Sequence, residues 1–193
     1  MADHFTAFEG QRRLAAGGLA DVALAVKHAE QRRTAEPILI FSDATGRAID
    51  LDLRGDTEAV LARLAKPAST AEAASPSEPR GRGRPKLGVV AREVTLLPRH
   101  WEWLNAQPGG ASVALRKLVE QARRANGDAD RNRAACDAAY HFMSAMAGNL
   151  SGFEEASRAL FADDRRNFMR LIAAWPADIR DHAVNLAYAD RAE

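Results

Sequence analysis

The sequence predicts an α+β protein built from four successive segments, and three observations carry that prediction. Over Ile49–Arg54 apolar and polar residues alternate strictly, a strand period, whereas over Leu19–Arg32 they follow helical spacing. Lys66–Pro79, KPASTAEAASPSEP, has no large apolar side chain and is rich in Ala, Ser, Pro and Glu, the composition of a linker. From Ala135 to Ala187 apolar residues recur at helical spacing between short breaks, the pattern of a bundle. The expected segments are 1–65, a small N-terminal β-α-β-β-α domain; 66–86, a disordered linker ending in a basic arm; 87–125, a strand and two helices; and 126–193, a C-terminal helical bundle.

Within the first segment a strand is expected over His4–Leu14, anchored by Phe5 and Phe8, with Gly17-Gly18 ending it. Leu19, Val22, Ala23, Leu24, Val26 and Ala29 form the apolar face of the helix that follows. Pro37–Phe41 is too short for a helix and contains β-branched and aromatic residues, so it reads as a buried strand. Ser42–Gly46 is a turn, with Gly46 able to take positive φ. Ile49, Leu51 and Leu53 make the inward face of the next strand, the second arm of a hairpin. Asp56 or Thr57 caps a helix through Ala65. Asp43, Asp50 and Asp52 are read as turn and solvent-face residues in preference to a catalytic carboxylate cluster.

Charge is unevenly placed along the 193 residues, although the net is only +1. Arg80–Arg124 holds ten Lys/Arg against three acids, +7, which leaves 17 basic and 23 acidic residues, −6, for the remainder. A basic centre between acidic flanks suits a polyanion partner. The arm Arg80-Gly81-Arg82-Gly83-Arg84-Pro85-Lys86 opens this region, and Arg82–Lys86 resembles the AT-hook, a minor-groove DNA-binding peptide. A narrow A·T-rich minor groove has enhanced negative potential that attracts Arg. Gly83 offers no bulk, Pro85 fixes φ, Arg82 and Arg84 can point in, and Lys86 can meet phosphate. Read instead as a solvated basic linker, the same residues still favour nucleic acid.

Val90–Leu97 is expected to be a strand, with Val94 and Leu96 on one side. Pro98 suits the first turn of a helix carrying Trp101 and Leu104, which stops at Pro108-Gly109-Gly110. Ser112 can cap a second helix, apolar at Val113, Leu115, Leu118 and Val119 and basic at Arg116, Lys117, Arg123 and Arg124. This order resembles the ribbon-helix-helix family of DNA-binding proteins, over Leu87–Arg124. The resemblance implies a ribbon-helix-helix-like unit: two chains pair their strands, the ribbon enters the major groove, and the second helix presents its N-terminus, around Ser112 and Val113, to phosphate. A homodimer follows, with Arg116 and Lys117 on the DNA backbone. Ala91, Glu93 and Thr95 would face the groove, where the family places basic or amide side chains. Glu93 could accept from a cytosine amino group and Thr95 could contact either base edge, but Glu93 would also be repelled by phosphate.

In the bundle, Ala135, Ala139, Phe142, Met143 and Met146 mark a first helix ending at Gly148-Asn149. Ser151 caps a second with Phe153, Ala156, Leu160 and Phe161; Asp163 or Asp164 starts a third with Phe168, Leu171, Ile172 and Trp175; Pro176 precedes a fourth with Ile179, Ala183, Leu186 and Ala187. His141 and His182 read as surface or packing residues, and Cys136, the one cysteine, as a small packing residue in a reducing compartment. The stretches FTAFEG, LADVALAVKHAE, DATGRAIDLDLRG, GRPKLGVVAREVTLLPRHWEWL, AAYHFMSAMAG and LIAAWPADIRDH are similar to an uncharacterised bacterial family, the domain-of-unknown-function 2239 group.

The start, MADHFTAFEG, has neither a basic n-region nor an apolar h-region, so no signal peptide is expected, and no run approaches the length needed to cross a bilayer, so a cytoplasmic protein is expected. No P-loop, dinucleotide fingerprint, HExxH or nucleophile elbow is present, and neither an enzyme, a cofactor nor a metal is expected. Two functions remain open. The first is a homodimeric DNA-binding transcriptional regulator, with A·T-rich DNA as partner and a protein or small molecule for the bundle. The second is a protein-interaction adaptor whose ribbon unit only dimerises.

Overall fold

In the computed structural model, residues 3–32, 36–65, 90 and 92–189 are described. They form strands β1 (Phe5–Glu9), β2 (Arg12–Gly17), β3 (Ile38–Ser42) and β4 (Ala48–Ile49). The helices are α1 (Leu19–Gln31), α2 (Thr57–Ala65), α3 (Pro98–Asn105), α4 (Gly110–Met146), α5 (Phe153–Phe161), α6 (Arg165–Leu171) and α7 (Ala177–Tyr188). The α+β class is as the sequence predicts. The chain divides into two compact units, Met1–Pro67 with Asp128–Glu193, and Ala68–Gly127.

The first unit joins two segments that the sequence reading sets apart. Its sheet is antiparallel in the order β2-β1-β3-β4. The expected single strand over His4–Leu14 is a hairpin instead: the chain reverses at Gly10, φ +56°, a conformation glycine adopts without a Cβ penalty. Ala7 and Ile40 pack with Val22 and Val26 of α1 on one face of the sheet. Phe8 and Phe41 pack with Phe142 of α4 and the helices after it on the other. The ring centroids lie 5.2 Å apart for Phe8–Phe142 and 5.0 Å for Phe41–Phe142, within the range of favourable aromatic pairs. A sheet covered on both faces buries β1 and β3 twice, which explains why their sequences do not alternate cleanly.

The strand expected over Ile49–Leu53 shrinks to Ala48–Ile49, paired with β3 at Ile40↔Ile49 and Phe41↔Ala48. Leu51 and Leu53 still turn toward the α1 face. The backbone carbonyls beyond Ile49 find side-chain donors in place of a ladder. Lys27, buried on α1, donates from Nζ to Leu53 O (2.9 Å) and Gly55 O (2.5 Å). Arg63 of α2 donates to Asp52 O (2.9 Å) and to Arg54 O. Asp56 caps α2, its Oδ1 accepting from Ala59 N at 2.8 Å.

The turn Ser42–Gly46 forms as expected, with Gly46 N donating to Ser42 O at 2.7 Å. Gly46 has φ +63°, and a Cβ there would stand 1.7 Å from Ala138 O of α4, so the turn seats directly on helix backbone. Further along, Asp164 caps α6 by accepting from Asn167 N (3.1 Å), and Trp175 Nε1 donates to Ser151 O (2.9 Å). Gly152, in the left-handed region at φ +81°, precedes α5 at the position expected for Ser151 as cap.

Helix α4 differs most from expectation. Separate helices were expected to either side of residue 125, but α4 is continuous from Gly110 to Met146. Between Leu115 and Phe142 the sequence offers no Pro and a single Gly127, and one helical glycine costs only about 1 kcal/mol. Its exposed middle is laced by Glu120 with Arg124 (3.1 Å), Asp128 with Arg131, and Asp130 with Arg133 (3.6 Å), pairs at helical spacing that support a solvated helix.

Candidate nucleic-acid interface and a buried histidine–aspartate cluster

In the unit Ala68–Gly127 the arm residues Arg80, Arg82, Gly83, Arg84, Pro85 and Lys86 lie outside the described residues, as does Ala91. Among the described residues, 92–97 take part in no β-ladder, and the expected strand finds no partner strand there. Glu93, Val94 and Thr95 are exposed and Leu96 is half-buried.

Pro98 starts α3 as expected, at N1, with Leu97 as the cap residue. Leu104 is the buried anchor of α3, while Trp101 is only half-buried and Trp103 is 54% exposed. Gly109 and Gly110, at φ +88° and +74°, turn the chain into α4. The helix begins at Gly110, so Ser112 is not its cap. Ser112 and Val113 do lie in the first turn, where backbone N–H groups have no intrahelical acceptor. Arg116 folds back onto this turn, donating from Nε to Ser112 O at 3.1 Å. Arg92, Arg99, Arg116, Lys117, Arg123 and Arg124 are all exposed. Trp103, Pro108, Ala114, Lys117 and Leu118 line a groove of about 180 Å³.

Among the described residues nine large apolar side chains are exposed, and six of them (Val90, Val94, Leu97, Trp103, Leu118 and Val119) belong to this unit. That concentration departs from the scatter of single apolar residues on an ordinary surface.

The other unit holds a polar cluster that reading the sequence missed. Asp43, in the β3–β4 turn, places Oδ2 2.5 Å from His4 Nδ1 and accepts there from the Thr6 hydroxyl at 3.1 Å. Its Oδ1 lies 3.5 Å from Nε2 of His182 on α7. His182 is 3% exposed, with its ring 5.4 Å from that of Phe8 and 4.6 Å from that of Phe142. Burial is the main influence on this ring and pushes its pKa down; the Asp43 charge works against that, and Arg13 and His4 reinforce it. Residues 43 and 182 are too far apart in sequence for spacing to reveal the pair. The one available signal was His182 at helical spacing from Ile179 and Leu186, which put it on the apolar side of α7.

Asp50 and Asp52 do not join this cluster. They line a separate groove of about 510 Å³ with Glu30 and Arg54. The Arg54 side chain, 2.8 Å from Asp52, holds the Asp52 carboxyl well below the usual carboxylate range, with a further hydrogen bond from the Arg54 backbone. Among the described residues no group of three or more His, Cys, Asp and Glu could hold a metal ion, and no helix is long and apolar enough to cross a membrane. Cys136 is buried, its thiol directed to Leu160 O at 3.7 Å.

By fold this is an α+β protein, a four-stranded antiparallel sheet with helices followed by one long helix and three shorter ones. It belongs to the bacterial family described as "Uncharacterized protein conserved in bacteria (DUF2239)", whose model matches residues 4–187. Comparison with curated proteins and with solved structures found no match.

Proposed function

We propose that the chain is a homodimeric DNA-binding protein, a transcriptional regulator, that pairs through residues 90–97 and α3 and meets DNA with its basic arm and the start of α4. The observation that carries this reading is the mixture of side chains on the unit Ala68–Gly127. Val94, Leu97, Trp103, Leu118 and Val119 stand in water in a single copy, beside Arg92, Arg99, Arg116, Lys117, Arg123 and Arg124. An apolar surface of this kind calls for a partner, and residues 92–97 pair with no other strand among the described residues, which suits them to a second strand. A second copy supplies both and doubles the positive charge. Arg82, Arg84 and Lys86 then extend the contact along a minor groove, and the N–H groups around Ser112 and Val113 receive a phosphate.

A test is binding of the full-length protein to fluorescent A·T-rich and G·C-rich duplexes across a salt series, beside an Arg84→Ala variant. The expected outcome is binding that weakens steeply with salt, prefers A·T-rich DNA and drops in the variant. Absence of binding to both duplexes at low salt would remove DNA as the general partner.

Two observations favour the second reading, a protein-interaction adaptor. Exposed Glu93 would meet phosphate in the groove. The other unit carries a cleft of about 530 Å³ lined by Arg133, Cys136, Asp137 and Leu160, with Phe161 55% exposed on its rim. In that reading the ribbon only dimerises, and a Phe161→Ala variant loses a protein partner with no change in DNA binding.

A further inference from the structure

We propose that His182, Asp43 and His4 form an acid-release latch that holds α7 to the sheet within the unit Met1–Pro67 with Asp128–Glu193, closed while His182 is neutral and opened when it takes up a proton. The geometry is one carboxylate between two imidazoles. Asp43 Oδ2 already serves His4, at 2.5 Å, and the Thr6 hydroxyl, at 3.1 Å. Asp43 Oδ1 and His182 Nε2 face each other at 3.5 Å, both buried and neither with a hydrogen-bond partner. A buried polar pair left short of a hydrogen bond in a native structure calls for an explanation, and a contact that depends on protonation supplies one.

Among the described residues, Asp43 is the acid whose charge favours the protonated form of His182. From β1 it meets Phe8, and from the start of that strand His4 shares its carboxylate. From β2 comes Arg13, a further positive charge, whose backbone N–H already engages Asp178 of α7 at 2.7 Å. From α4 it meets Phe142, while the neighbouring His141 is turned to Arg47 at 3.0 Å. On α7 itself, Asp181 is paired with Arg180 at 2.8 Å. When both imidazoles are protonated, two positive charges share one carboxylate, and the one on His182 sits among aromatic rings where a charge is poorly solvated.

The direction of the pH effect follows from linkage. An unfolded histidine takes up its proton near pH 6.5. Burial lowers that value for His182 in the native unit. The contribution of neutral His182 to native stability is therefore fully present above about pH 6.5 and is lost as pH falls through the lower native value, because the unfolded chain binds the extra proton first. In a cell the device would respond to mild acidification.

The experiment is a pH titration of the histidine ring signals of the full-length protein by NMR, with thermal melts from pH 8 to pH 5 for wild type, His182→Gln and His4→Gln. The His182 ring should titrate below pH 6.5, and His4→Gln should move that titration up, since a group that disfavours the His182 charge is gone. Wild-type Tm should fall by several degrees on acidification, and the fall should shrink in His182→Gln. Titration of His182 at or above pH 6.5, or no movement of it in His4→Gln, overturns the latch. Those ring readouts decide the matter even if His182→Gln does not fold.

Discussion

In the unit Met1–Pro67 with Asp128–Glu193, Phe8, Phe41, Phe142 and Phe168 are fully buried, and helices cover both faces of the sheet. In the unit Ala68–Gly127 the described residues bury Leu104 and Ala114, yet leave Val94, Trp103 and Val119 more than half exposed. The difference is one of size and closure. A sheet with helices on both sides encloses its aromatic rings within one chain. A pair of helices preceded by residues that join no strand among those described buries less, since the fraction of surface that can be buried falls with size. The first unit encloses its core, whereas the described residues of the second leave much of their apolar surface exposed.

Three substitutions break or sharpen that contrast. The largest effect belongs to the closed unit: Phe142→Ala empties a position shared by Phe8, Phe41 and His182, and should lower its unfolding free energy by about 3–5 kcal/mol in denaturant melts. A loss below about 1 kcal/mol would mean that the two segments do not share a core in solution. In the open unit, Trp103→Ala should leave the thermal transition of the closed unit in place and weaken self-association about tenfold or more by sedimentation, about 1.4 kcal/mol. Unchanged association would move the dimer contact elsewhere. The smallest effect tests the helix between residues 110 and 146: Gly127→Ala should add about 0.5–1 kcal/mol of stability if α4 is continuous in solution, and nothing if the helix is broken at that glycine.

Much of this was legible in the sequence wherever the cause is local. Gly46 announced a turn able to take positive φ, Pro98 a helix start, Gly109-Gly110 a break, and Asp56 or Thr57 and Asp163 or Asp164 two helix starts, of which Asp56 and Asp164 serve as caps. Helix α1 ends one residue short of the expected Arg32. What was missed depends on partners distant in sequence. Gly10 was not read as a hairpin turn because β1 and β2 are buried unevenly and show no shared alternation. The strand beyond Ile49 was overextended because Lys27 and Arg63 take its carbonyls. Asp43 and His182 looked like a turn residue and a packing residue; each description holds separately, but neither reveals the other 3.5 Å away.

Sequence alone determined the α+β class, the positions of most helices, the concentration of positive charge between residues 80 and 124 and the local turn chemistry, because hydrophobic period, capping and glycine conformation act over a few residues. Only the tertiary structure decided that residues 1–67 and 128–193 share one core, that α4 runs unbroken through residue 125, and that His4, Asp43 and His182 meet. Those outcomes depend on which apolar faces cover one another, and a linear pattern specifies that a face must be buried without naming the face that buries it.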